Sequence, residues 1–264
     1  MCRVELTKQL LRVRSLIALA ALAAVPVAAA LGTASRAGGR DGAQGGLYGA
    51  SPYSALNHAA ASLQFVAPLL LALVVALFGS ALGAADREWG TLRYLYVQPV
   101  SPRRLILGKW SGLSVCAALA MGCILISGVA AGLAIFGWHP FHRIGAPSLS
   151  SGTAAVRLLV GAGYLTVCVL SVGTIALCLG TWLPGPAEAL GASIAFIVVG
   201  TVVNGKDWVH WLSLALPMHY WPRWTQLLDG GHQSLLAGLV AQSIAIVVAL
   251  TATWLIATRR DPSA

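Results

Sequence analysis

The sequence predicts an all-α integral membrane protein with six spans, and three observations predict it. Charged residues make up only 9% of the chain and hydrophobic residues 58%, with a mean hydropathy of +0.79. A soluble domain carries roughly 25% charged residues, so no large water-facing surface can be built here. Six apolar runs are each long enough to cross a hydrocarbon core of roughly 30 Å. The basic residues sit beside those runs. The net charge of +9 and pI near 9.8 therefore read as positive flanks of membrane spans, not as a surface for nucleic acid. Five cysteines (Cys2, Cys116, Cys123, Cys168, Cys178) have no C-x-x-C spacing, and four lie in apolar runs, where a thiol acts as a small hydrophobe. Neither a disulfide framework nor a thiolate metal site is indicated.

Taken in order, residues 1–14 carry Arg3, Lys8, Arg12 and Arg14 among Leu6, Leu10, Leu11 and Val13, a basic amphipathic segment suited to a cytoplasmic interface. The first span is 15–34. Its basic start and the Ala28-Ala29-Ala30 tail also resemble a signal peptide, but the run is long enough to span and is read so. Residues 35–60, rich in Gly, Ala and Ser, read as an irregular loop. The second span, 61–84, contains Pro68, which a membrane helix tolerates.

Residues 86–109 form the one dense cluster of charge between two long apolar runs: Asp86, Arg87, Glu88, Arg93, Arg103, Arg104 and Lys109. Read as a helix, Trp89, Leu92, Tyr96 and Pro99 make an apolar stripe with Arg93 and Gln98 off it. Asp86 and Glu88 fall in its first turn, where the helix dipole favours carboxylates. Pro99 stops it. Ser101 then reads as an N-cap with Pro102 at the first helical position. A short amphipathic helix, a break and a new helix entering the membrane describe a docking element at a bilayer face.

The third span is 110–137, with Gly128-x-x-x-Gly132 as a close-packing face. Residues 138–153 read as a loop. The fourth span is 155–183, and Pro184-Gly185-Pro186 turns it into the fifth, 188–204, so that these two lie side by side and antiparallel. Residues 205–234 are amphipathic and aromatic, with Trp208, Trp211, Tyr220, Trp221 and Trp224 broken by Pro217 and Pro222. Val209–Leu216 is too short to cross and reads as a re-entrant or interfacial segment. The sixth span is 235–257. With the N-terminus inside, eleven of the 17 Lys and Arg fall on the inner side and six on the outer. The positive-inside rule thus places both termini and the docking loop in the cytoplasm.

The run Glu88-x-Gly90-Thr91-Leu92, then Pro99-Val100-Ser101-Pro102-Arg103 and Gly108-Lys109, resembles the first cytoplasmic loop of type 2 ABC transporter permeases. The strong likeness covers this loop; length, span count and the aromatic segment before the last span agree more loosely. The resemblance implies a single permease domain, 1–264, with a cytoplasmic coupling helix and re-entrant helices before the last span. It implies that Glu88, Gly90, Thr91, Leu92, Arg93 and Pro99 dock an ABC ATPase subunit. Taken alone, Glu88 is a solvated helix-start carboxylate. Arg103, Arg104 and Lys109 read as anchors for anionic lipid headgroups. A second permease copy or a paralogue is implied as the other membrane partner, in a bacterial cytoplasmic membrane.

Other chemistries fit less well. Gly200-Thr-Val-Val-Asn-Gly205-Lys206 matches the opening of a P-loop, but Asp207 stands where a Ser or Thr would hold magnesium, and the stretch follows a membrane helix. The chain therefore has no nucleotide site or cofactor of its own, and ATP falls to the partner. All six histidines (His58, His139, His142, His210, His219, His232) fall on the outer side. A metal between His139 and His142 is a lesser reading than interfacial hydrogen bonding. The spans hold almost no ionisable group, against a proton- or sodium-coupled carrier. No G-x-S-x-G motif appears, against a membrane protease. Arg157 and Glu188 sit near span ends, and Gln242, deep in the sixth span, reads as a helix-packing hydrogen bond. The function expected is export of an amphipathic or hydrophobic cargo such as a drug, antibiotic, peptide or lipid. A non-transporting scaffold or signalling subunit and a metal-handling accessory permease are the alternatives.

Overall fold

In the computed structural model the residues described are 12–36, 50–88, 101–143, 146–204, 213–214, 216–229 and 234–259. Six of its helices are long and apolar enough to cross a membrane: Val13–Ser35, Ala55–Ala85, Arg103–Phe136, Ser151–Trp182, Pro186–Asn204 and Leu235–Arg259. The elements are α1 (Val13–Arg36), α2 (Ala55–Val66), a π-helical turn (Ala67–Leu71), α3 (Ala72–Glu88), α4 (Pro102–Phe136), strands β1 (Phe141–Arg143) and β2 (Ala146–Leu149), α5 (Ser151–Trp182) and α6 (Pro186–Asn204). A 3-10 helix (Pro217–Thr225), α7 (Gln226–Asp229) and α8 (Leu235–Arg259) follow.

The second span starts at Ala55, six residues before the sequence pattern places it, so the end of the expected loop is helix. The physical reason is a cap. Ser54 is extended, its hydroxyl accepts from the Asn57 backbone N–H at 3.3 Å, and the Ala55 N–H donates to the Gly137 carbonyl at 3.0 Å. Gly137 has φ +77°, a conformation glycine adopts freely, and it both ends α4 and presents that carbonyl. The start of the second span and the end of the third are thereby tied together.

Pro68 lies in the π-helical turn between α2 and α3. Proline has no N–H to give the carbonyl four residues back, and a wide turn is one way a helix absorbs that loss. The helix continues through it, as the sequence reading allows. The helix of the third span begins where Ser101 and Pro102 indicate, and its membrane-length stretch starts at Arg103, seven residues before the expected 110; the Ser101 hydroxyl makes no cap, and its carbonyl instead accepts from Arg104 and Leu105 N–H. At 35 residues, α4 is roughly 52 Å long at about 1.5 Å per residue, well beyond a bilayer core.

The expected loop 138–153 contains a small antiparallel hairpin, with Phe141 opposite Leu149 and Arg143 opposite Ala146. Asn57 holds it in place from α2, donating Nδ2–H to the His142 carbonyl at 2.8 Å and accepting the His142 N–H at 2.9 Å. Tyr53 stacks on the His142 ring at 4.1 Å. Ser150 then caps α5, its hydroxyl oxygen 3.4 Å from the Thr153 N–H.

The second and fourth spans form the centre: 67% and 61% of their most apolar stretches are buried, against 17–28% in spans one, three, five and six. Glycine makes this pair close. A Cβ added at Gly79 would collide with the Gly173 carbonyl, one at Gly83 with the Leu177 carbonyl, and one at Gly180 would lie 2.6 Å from the Ser80 carbonyl. The third span meets the other end of the second in the same way. Added Cβ atoms at Gly132 and Gly128 would lie 2.8 Å and 3.3 Å from the Cα atoms of Ala55 and Ala59. Gly128-x-x-x-Gly132 is thus a packing face, as its spacing suggests. The fifth span packs beside the fourth and against α3.

Candidate functional site

The stretch expected to dock an ATPase lies mostly outside the described residues. Gly90, Thr91, Leu92, Arg93 and Pro99 belong to the undescribed segment 89–100, and Glu88 is the last residue of α3. The helices on either side of it, α3 and α4, pack against each other. Of the expected headgroup anchors, Arg103 and Arg104 are exposed on the first turn of α4. Lys109 is not at that surface: it is 3% exposed. Its position explains this, because Ile106, Lys109 and Leu113 recur at i, i+3 and i+7, and all three are buried against the bundle. Beside Arg103, the side chains of Ile106, Leu107, Leu250, Thr251 and Trp254 line an open groove of about 370 Å³.

At the opposite end, the segment before the last span builds a cap over the bundle. Met218, Trp221 and Trp224 are buried. Their spacing of three matches the three residues per turn of the 3-10 helix they occupy, so they stack on one face. Three neighbouring side chains hold the cap by donating hydrogen bonds to its backbone carbonyls. Tyr164 O–H donates to Tyr220 O at 2.7 Å, Gln242 Nε2–H to Pro217 O at 2.7 Å, and Arg157 to Leu227 O at 3.0 Å. Within the segment, Arg223 donates to Ser234 O at 3.3 Å and its guanidinium lies 4.6 Å over the Tyr220 ring. The rings and sulfur lie on glycines: Trp224 on Gly161 and Met218 on Gly200.

Under this cap is a cavity of about 330 Å³. Gln64 and Pro68 of the second span, Leu165 of α5, Thr201 and Asn204 of α6, and Trp221 and Trp224 of the cap are among its lining residues, none of which is ionisable. Thr201 and Thr225 give their hydroxyl protons to Ile197 O and Pro222 O, and Asn204 Oδ1 lies 2.8 Å from His219 Nδ1. Two buried polar atoms of lining residues have no hydrogen-bond partner in the structure: the acceptor Gln64 Oε1 and the donor Trp221 Nε1. Leaving such a group unpaired costs about 1–3 kcal/mol.

The histidines go elsewhere. His58, expected in an outer loop, is in α2 and 1% exposed. Its Nε2 lies 3.0 Å from the Pro26 carbonyl, which can only accept, so Nε2 carries the proton. Nδ1, 2.8 Å from Ser51 Oγ, accepts from that hydroxyl when the ring is neutral. Among the described residues no three His, Cys, Asp or Glu side chains gather closely enough to hold a metal. The P-loop-like stretch is helical from Gly200 to Asn204, with Gly200 against Met218, and does not form a phosphate-cradling loop there.

Sequence reasoning missed Gln64 and the roles of Trp221 and Trp224. Two signals carry them: a lone amide four residues before a proline in an apolar run, and aromatic residues repeating at three rather than at 3.6.

No curated protein matches the chain. A family model described as ABC-2 family transporter protein matches residues 7–223, which take in the first five spans, the docking stretch and most of the cap. With its six membrane-length helices, the chain belongs to the ABC-2 transporter family and is a multi-pass membrane permease subunit of an ABC transporter.

Proposed function

We propose that the chain is the membrane subunit of an ATP-driven exporter that moves an amphipathic or hydrophobic molecule out of a bacterial cytoplasm. Family membership implies an ABC ATPase as partner, and ATP is bound and hydrolysed there. Two copies of this chain, or this chain and a paralogue, pair in the membrane with both termini in the cytoplasm. Arg103 and Arg104, exposed beside an apolar groove, anchor α4 to anionic lipid.

One observation supports the coupling route above the others. The span that runs into the docking stretch is the most buried of the six and is packed backbone to backbone on its neighbours. A push from the ATPase on residues 86–99 therefore passes into the centre of the bundle, not into a peripheral helix.

The test is capture of a Walker-type ATPase from native membranes by the tagged wild-type chain and by the double variant Glu88→Lys/Arg93→Glu. Capture by wild type, with loss of at least tenfold in a variant that inserts normally, is the expected result. Failure of the wild-type chain to hold any ATPase in solubilised native membranes sinks the exporter and favours the scaffold. Equal capture by both chains keeps the transporter but removes docking from Glu88 and Arg93.

A further inference from the structure

We infer that the second span is a jointed arm. Its first half, α2, swings with the third span about the π-helical turn Ala67–Leu71, while its second half, α3, stays locked to the fourth span. The swing opens and closes the space beneath the cap. The inference stands on packing alone, and the exporter reading supplies only its use.

The two halves of this span are held by different neighbours: α2 packs chiefly on α4, and α3 chiefly on α5 and α6. The grip on α2 consists of its close approach to Gly128 and Gly132 of α4, the two bonds from Asn57 to the hairpin, and the bond from His58 Nε2–H to Pro26 O of α1 at 3.0 Å. The grip on α3 is backbone on backbone, through Gly79 and Gly83 against α5. From the α5 side, a Cβ added at Gly173 would lie 2.6 Å from Val75 Cγ1. The cap is bonded to α5 and α8 and rests on Gly200 of α6, so it belongs with the partners of α3. A helix gripped along its length by one neighbour is held straight. One gripped at each half by a different neighbour bends when those neighbours part.

The joint lies where the grip changes over. Ala67 N–H bonds to Leu63 O, four residues back, but Ala72 N–H bonds to Leu69 O, three back, with the π-helical turn between. Pro68 adds no N–H to that stretch. Sharp helix kinks concentrate at prolines and at π-bulges, and both occur here. Bending in a close-packed interior meets other side chains, whereas here it meets space. Gln64, Ala67 and Pro68 form one side of the cavity of about 330 Å³, with Leu165, Thr201 and the cap tryptophans on other sides. At the far end of the bundle Trp110 Nε1–H donates to Thr174 Oγ1 at 3.1 Å, pinning α4 to α5 and leaving the cap end as the end that moves. The hairpin that links α4 to α5 crosses between the two bodies and limits the swing. A change in bend of about 20° carries the far end of the 12-residue α2 about 6 Å.

The experiment is double electron–electron resonance on the full chain in lipid nanodiscs, with the five native cysteines replaced by serine or alanine. Spin-labelled chain is diluted with unlabelled chain, so that only distances within one molecule are read. Leu133→Cys/Val202→Cys joins exposed positions of α4 and α6 at the cap end, and Leu107→Cys/Ala187→Cys joins exposed positions of the same helices at the far end. The cap-end distribution is expected to be broader than the far-end one by about 6 Å. Pro68→Ala, which returns an N–H to the ladder, should narrow the cap-end distribution toward the far-end width and leave the far-end pair unchanged.

Equal widths in the wild-type chain, or a broad far-end pair beside a narrow cap-end pair, overturn the inference. So does a broad cap-end pair that Pro68→Ala leaves as it was, because the movement then arises elsewhere. The two wild-type pairs decide whether the arm moves even where Pro68→Ala fails to insert. Neither pair needs an ATPase or a cargo, so failure of the joint is distinguishable from failure of the exporter, which ATPase capture reads.

Discussion

Gln242 sits in the last span with no exposure, its Oε1 2.6 Å from the Ser171 hydroxyl and its Nε2 donating to the Pro217 carbonyl. One amide therefore joins three elements: α8, α5 and the cap. Gln242→Leu removes both bonds. The variant should lose about 0.6–2 kcal/mol, the range for polar contacts between membrane helices, read as a lowered midpoint of denaturation in detergent. Ser171→Ala should cost less, because Ser171 Oγ also lies 2.7 Å from the Cys168 carbonyl and is not held by Gln242 alone. The packing role of Gln242 was legible from one amide in an apolar run. The role of His58 was not, because its partners Ser51, Pro26 and Ser62 come from three places that only the fold brings together. Lys109 escaped for a related reason: counting charge along a loop does not say which face of the next helix a given charge will occupy.

Among the elements, helix identity was readable and helix ends were less so. Apolar runs mark what lies in lipid, whereas a helix stops where a cap or a glycine stops it. The second span gains its first turns from Ser54 and Gly137, and the helix of the third starts at Pro102, a residue suited to the first helical position. The glycines of these spans divide sharply by surroundings. Gly79→Ala puts a methyl into the Gly173 backbone, whereas Gly122→Ala meets nothing within 4 Å. Overpacking of this kind costs about 1–3 kcal/mol, while relief of helical glycine is worth up to about 1 kcal/mol in the other direction. Thermal denaturation of the two variants should therefore diverge, with Gly79→Ala below wild type and Gly122→Ala at or above it. Equal midpoints would show that the second and fourth spans do not meet through their backbones.

For the molecule as a whole, the number of spans and their order followed from hydropathy and length. Which spans form the centre did not, since a face turned to lipid and a face turned to another helix are equally apolar. Orientation rests on the charge bias, and it can be measured directly. With the native cysteines replaced by serine or alanine, Ser150→Cys at the cap of α5 should react with an impermeant maleimide in intact cells. Ser101→Cys at the start of α4 should react only after permeabilisation. The opposite pattern would invert the molecule and move the docking stretch away from any cytoplasmic ATPase.

The cap has a consequence for how such a transporter can diversify. Tyr164, Arg157 and Gln242 grip main-chain oxygens, which every amino acid supplies. Side chains in this segment can therefore be exchanged over generations while those attachments persist. The helices beneath are less free at Gly161 and Gly200, where an added carbon would press on Trp224 and Met218 of the cap. Changes in the shape of the space beneath should therefore arise on the cap sooner than on the helices that carry it.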